Sequence, residues 1–128
     1  MKTSELTGQA LDWAVAKCEG YTGLHKIAGR MPHEPQLGIL PPRKEYGVMD
    51  LWELSYSTNW AQGGPIVERE KLDVFCSGNV WDASTGDRHP NVIKTGTTPL
   101  IAAMRCYVAS KLGDDIEIPT ELTQGETK

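Results

Sequence analysis

At 128 residues and 14.1 kDa the chain holds about one domain's worth of polypeptide. With 39% hydrophobic and 23% charged residues it reads as an ordinary globular protein, which excludes a fibrous or wholly disordered chain. The net charge of −4 sits in residues 114–128, where Asp114, Asp115, Glu117, Glu121 and Glu126 meet one base, Lys128; the neutral body offers no basic footprint for nucleic acid.

Taken in chain order, the first helix is expected from Thr7 as N-cap to about Cys18. Leu11, Ala14, Val15 and Cys18 recur at helical spacing, and Leu6 precedes the cap as a staple. Residues 20–47 are rich in glycine and proline and read as a long irregular segment, with one short strand near Leu37–Leu40. Val48–Leu54 fits a strand or a helical turn equally. Gly63-Gly64-Pro65 reads as a sharp turn into a strand over Ile66–Glu70. Two further strands, Leu72–Phe75 and Val80–Ala83, flank the turn signal Ser77-Gly78-Asn79. The second helix starts at Thr98 as N-cap with Pro99 in the first position. Its stripe is Leu100, Ile101, Met104, Val108 and Leu112, and Gly113 stops it. Ile116 and Ile118 alternate with acids like a short edge strand. These elements make a single α+β domain over residues 1–119, two main helices on a small, mostly antiparallel sheet, followed by a disordered acidic tail at 120–128.

Cys18, Cys76 and Cys106 are odd in number and widely spaced, so reduced thiols in a cytosolic protein are expected. The start MKTSELTG lacks an apolar leader core, and no apolar run approaches the roughly 18 residues of a membrane span. A cytoplasmic protein is the expectation, with no membrane partner. His25, His33 and His89 show no metal-ligand spacing, so neither metal nor cofactor is expected. There is no nucleophile-elbow or P-loop spacing, and an enzyme is not the favoured reading. Glu68 and Glu70 would share one face of the expected strand, either as an acid pair for proton transfer or as a solvated face.

Two segments suit a ligand. Leu54 to Val67 carries no charge yet holds Tyr56, Ser57, Thr58, Asn59, Trp60 and Gln62 ahead of Gly63 and Gly64. An aromatic face stacks a flat group, amides read its edges, and glycines let backbone N–H groups approach. The alternative is that Tyr56 and Trp60 anchor the core while the polar groups satisfy a turn. The second segment is Thr97 and Thr98 after Gly96, at a helix start where unpaired N–H groups and the dipole favour an anion. Trp13, Trp52 and Trp81 read as core or interface anchors, and four tryptophans in so small a chain favour a homo-oligomer.

Three blocks carry a resemblance: KTSELTGQALDWAVAKCEG at 2–20, YSTNWAQGGPIVERE at 56–70 and GTTPLIAAMRCYVASKLGDDIEIP at 96–119. Together they resemble the NinX family, small proteins of lambdoid-type phages and prophages. The resemblance implies a phage accessory protein made in the bacterial cytoplasm, and it carries over no catalytic or binding residue. By analogy with other small phage proteins it suggests counter-defence, in which a nucleotide-derived immune signal is sequestered unaltered. A protein–protein adaptor, using the tryptophans and Pro32 to Pro42, and a hydrolase of the same ligand are the alternatives.

Overall fold

A computed structural model describes residues 2–27, 36–42, 49–50, 53–88, 91–119 and 122. It contains three helices, α1 (Gly8–Cys18), α2 (Trp60–Glu70) and α3 (Pro99–Leu112), and two three-stranded antiparallel sheets. The first sheet is β1 (Thr22–Ile27), β2 (Gln36–Leu40) and β3 (Met49–Asp50), in that order. The second is β4 (Asp73–Ser77), β5 (Val80–Ser84) and β6 (Ile93–Gly96), also in chain order. The α+β class is as the sequence predicts. Among the described residues, however, the sheet is divided, and α2 stands beside the two main helices that were expected.

α3 is the axis of the fold. Leu100, Ala102, Ala103, Met104, Cys106, Tyr107, Val108 and Ala109 are buried on more than one side of it. The expected stripe is therefore too narrow: α3 packs on the second sheet as well as on α1 and α2, and such a helix is apolar nearly all round. α1 contributes Ala10, Leu11, Trp13, Ala14, Val15 and Ala16 to the same core, and β2 contributes Ile39. Val74, Trp81 and Ala83 lie on the sheet face toward the core. Phe75 and Ile93 alternate onto the other face and are 47% and 55% exposed.

The expected turn and strand at residues 63–70 are wrong. Gly63, Gly64 and Pro65 lie inside α2. Asn59 starts that helix, its Oδ1 accepting the Ala61 N–H at 2.9 Å, and Lys71 ends it with φ +52°. Gly63 and Ile66 are buried, with Val67 and Glu70 half-buried, at helical spacing. Packing overrides the breakers, because a Cβ on Gly63 would collide with the Tyr56 carbonyl oxygen and stand 2.7 Å from Leu100 Cδ1. Glu68 and Glu70 therefore do not share a strand face; two residues apart on a helix, they diverge.

The β4–β5 hairpin forms as expected around Gly78 and Asn79. β1 and β6 are strands the sequence reading lacks. Ile116 and Ile118 form no strand; the nearest pairing is one bridge between Lys2 and Asp115, beside the Thr3 N–H to Asp114 carbonyl bond of 2.8 Å. Leu122 is buried in the core cluster, and the rest of the expected tail at 120–128 lies outside the described residues. So do residues 32–35 of the Pro32–Pro42 segment, His33 among them, and Trp52 and His89. No helix among the described residues is long and apolar enough to cross a membrane.

Candidate functional site

α2 and α3 begin side by side. Their first turns, with the loop that enters α2, border a half-open cavity of about 230 Å³ lined by Ser57, Thr58, Trp60, Thr98, Pro99, Leu100 and Ile101. The two uncharged polar segments thus meet at one place. None of the lining residues is ionisable; two helix starts border the pocket, and the nearest charge behind it is the Asp12 carboxylate that accepts the Ser57 N–H. Asn59 caps Ala61, and Thr98 Oγ1 accepts the Ile101 N–H at 3.1 Å. The Trp60 and Leu100 N–H groups are taken up by neither cap, and Pro99 has no N–H to offer.

Two glycines fix this geometry. Gly63 lets the start of α3 press against α2, as described above. Gly96 does the same from β6, where a Cβ would stand 2.6 Å from the Ala102 nitrogen and 2.9 Å from Ile101 Cγ2. The first turn of α3 is therefore held between two stretches of backbone. Gly63 is a packing residue, and it does not bring its N–H to a ligand: that group donates to the Asn59 carbonyl at 2.9 Å.

The expected site residues divide accordingly. Ser57, Thr58, Trp60 and Thr98 line the cavity, and Trp60 is 53% exposed. Gly64 lies one turn on, where a Cβ would stand 3.5 Å from the Trp60 ring. Thr97 is exposed and is not among the lining residues. Tyr56 is buried in the core, where burial and a hydrogen bond with Tyr21 push its phenol pKa up. Gln62 is consumed at both ends of its amide: Oε1 accepts the Ser55 N–H at 2.8 Å and Nε2 donates to the Glu53 carbonyl at 3.0 Å. Asn59 Oδ1 is consumed by its cap. The amides expected to read a ligand's edges instead hold the entry loop and the helix start. Pro99, Leu100 and Ile101 are the lining residues the sequence reading lacks; the Thr98-Pro99 helix start is the signal that leads to them.

Ser57 sits at the back of the loop. Its N–H donates to Asp12 Oδ1 of α1 at 2.8 Å. Its Oγ is sealed from solvent, near enough to the Asp12 carboxylate to favour the charged form, yet completes no hydrogen bond. Burial dominates at Asp12 and raises its pKa despite these contacts.

The opposite end of α2 is built from charge. Arg69 donates to both Glu19 oxygens at 3.0 and 2.7 Å and to Glu70 Oε2 at 3.0 Å. Tyr107 OH donates to Glu19 Oε2 at 2.5 Å. Glu70 also faces Arg88 and Lys111, each at 3.5 Å, and Arg88 caps the helix by donating to the Glu70 carbonyl at 2.8 Å. Burial would raise both carboxyls. At Glu19 the Arg69 and Tyr107 bonds outweigh it, and at Glu70 Arg69 and Lys111 do, so both lie below the usual carboxylate range. A cleft of about 530 Å³ opens here, lined by Arg69, Glu70, Lys71, Asp73, Thr85, Gly86, Asp87 and Arg88.

Cys18 and Cys106 are placed where thiol chemistry is quiet. Burial pushes Cys18 up to about 12 and Cys106 up to about 11, while Cys76 is exposed on β4. No group of three or more metal-ligating side chains gathers among the described residues.

A small α+β protein with an uncharged cavity where two helices begin is the class that this fold and site define. Residues 2–111 match the family model described as Bacteriophage P22, NinX, and the chain belongs to that family. A comparison with curated proteins finds no match.

Proposed function

We propose that this phage-family protein is a non-enzymatic binder that holds a nucleotide-derived small molecule and, by sequestering such an immune signal, serves counter-defence. One observation carries the reading: the aromatic loop at Ser57–Trp60 and the helix start at Thr98–Ile101 line the same cavity. The paired helix starts favour a phosphate, and the exposed Trp60 ring offers a stacking face at the rim. The acid-pair version of the hydrolase reading loses its support, because Glu68 and Glu70 diverge on a helix and Glu70 is tied to three cations.

Native mass spectrometry of the full chain tests the proposal, before and after incubation with a panel of nucleotide signals and with infected-cell extract. The expected result is a bound small mass, released unchanged on heating and diminished in Trp60→Ala. A clean unliganded mass with every sample overturns it. The same spectra report subunit number, and a dimer or larger assembly is the expected state.

The exposed Phe75 and Ile93 on the outer face of the second sheet favour the adaptor reading. If that reading is right, Phe75→Lys removes a captured protein partner while the small-molecule spectra stay empty.

A further inference from the structure

We infer that β4 is the docking edge for a second copy of this chain: the two β4 strands pair antiparallel about a twofold axis at Phe75 and join their sheets into one. The placement of free backbone groups carries the inference. β4 has one neighbour in its sheet, β5, and Ser77 and Val80 close the two-residue turn between them. Backbone bonds alternate along an antiparallel pair, so the Ser77, Phe75 and Asp73 groups turn toward β5 and those of Val74 and Cys76 turn outward. The other side of β5 keeps the same alternation. There the Thr85 N–H donates to the Val92 carbonyl at 3.0 Å, in step with Ala83 opposite Lys94 and Trp81 opposite Gly96.

The two edges of this sheet are treated differently. On β6 the outward groups belong to Ile93 and Thr95. Arg105 of α3 covers that edge, donating to the Thr95 carbonyl at 2.7 Å and to the Leu6 carbonyl at 2.8 Å. Among the described residues nothing outside the sheet bonds the main chain of Val74 or Cys76. β4 is also bare on both faces at that end, with Phe75 47% exposed on one and Cys76 exposed on the other. Monomers commonly block such an edge with lysine, proline or a bulge, and β4 contains none of them.

The occupant follows from the strand's own sequence. With the axis on Phe75 all 5 residues of β4 are paired, and Val74 and Cys76 exchange backbone bonds with Cys76 and Val74 of the other copy. Phe75 then meets its own copy at a position without backbone bonds, where side chains stand closest and an aromatic pair contributes most. Asp73 falls opposite Ser77 and Lys71 opposite Asn79, so no like charges meet. Moving the axis to Val74 sets Asp73 against Phe75, and moving it to Cys76 sets Ser77 there; either leaves part of the strand unpaired.

One strand pair makes a small interface, so the association is expected in the micromolar range. Sedimentation velocity of the full chain from about 5 to about 500 μM should show monomer giving way to dimer. Phe75→Lys sets two like charges on the axis and weakens the dimer by about tenfold or more. Ile93→Lys, on the edge that Arg105 covers, leaves it unchanged. The register is read with Phe75→Cys combined with Cys76→Ser, which forms a disulfide-linked dimer under mild oxidation. The unaltered chain does not, because its Cys76 lies diagonal to that of the other copy, about 7–8 Å away. Thermal melts confirm that each variant folds.

A chain that stays monomeric throughout the series overturns the inference, whether the edge remains bare or takes the strand of another protein. So does a dimer that Phe75→Lys leaves intact, or that Ile93→Lys weakens as much, because the contact then lies elsewhere. Loss of the dimer in Phe75→Lys without the cross-link overturns the axis at Phe75.

Discussion

The two ends of α2 handle polar groups in opposite ways. At the C-terminal end, Arg69, Arg88 and Lys111 surround Glu19 and Glu70, and every one of those cations has a partner. At the N-terminal end the pocket lining carries no charge, the one carboxylate behind it, Asp12, holds the Ser57 N–H, and the caps are satisfied locally. The larger and more highly charged cleft is thus the weaker candidate for a ligand. Its Arg69 and Arg88 are occupied in tying α2 to the turn after α1 and to the loop after β5. A cation that already has its carboxylate gains little from a second one. The smaller cavity has capacity that the fold itself does not use.

Perturbing each end separately sharpens the contrast. The largest effect is expected from Gly63→Ala at the N-terminal end. Its Cβ meets backbone, which cannot rotate away, so a loss of about 1–3 kcal/mol is expected even after the gain in helix propensity. Denaturant melts measure it, and an unchanged midpoint would show that α2 and α3 do not press together as described. Arg69→Met at the other end follows. It leaves Glu19 with the Tyr107 hydroxyl and Glu70 with Arg88 and Lys111, so about 1 kcal/mol should be lost with nucleotide binding unchanged.

Acid should act on the same charged end. Glu19 and Glu70 titrate lower in the folded chain than their ordinary 4.5. The stability they supply is complete above that value and disappears as pH falls through the lower folded values. The midpoint of urea unfolding should fall below pH 4.5, and Arg69→Met should flatten that fall. Gly64→Ala is the companion to Gly63→Ala. Its Cβ meets the Trp60 ring at an ordinary 3.5 Å, and the variant should gain about 0.5–1 kcal/mol from helix propensity alone.

The smallest effect belongs to Asp12→Asn. Asp12 has a raised pKa, so the stability it contributes is present below its ordinary 3.8 and lost as pH rises through the folded value. At pH 7 its buried charge is a liability, and Asn retains an acceptor for the Ser57 N–H. A gain below about 1 kcal/mol at pH 7, vanishing near pH 3, is expected in thermal melts.

The parts of the fold legible in the sequence are those whose ends are marked by local chemistry. α1 after Thr7, α3 between Thr98-Pro99 and Gly113, and the hairpin at Gly78 all lie where their caps and turns place them. α2 was illegible for an instructive reason. The glycine that weakens it as an isolated helix is the residue that lets it touch Leu100, and only the partner helix reveals that exchange. β6 was hidden similarly: Ile93-Lys94-Thr95-Gly96 is short, one face is exposed, and its glycine exists for Ala102. At the site, the pairing of an aromatic loop with a helix start was readable in composition. That Gln62 would turn back onto Ser55 and Glu53 depended on a helix the residues did not announce.

The grip of Gly63 and Gly96 on the first turn of α3 has a dynamic corollary. A segment clasped by backbone on two sides is a template rather than a flap, and its amides should exchange slowly with solvent. Adaptation to an arriving molecule then falls to the Trp60 indole at the rim, through rotation about two side-chain bonds. Little conformational freedom is surrendered on association, so modest contacts can translate into useful affinity.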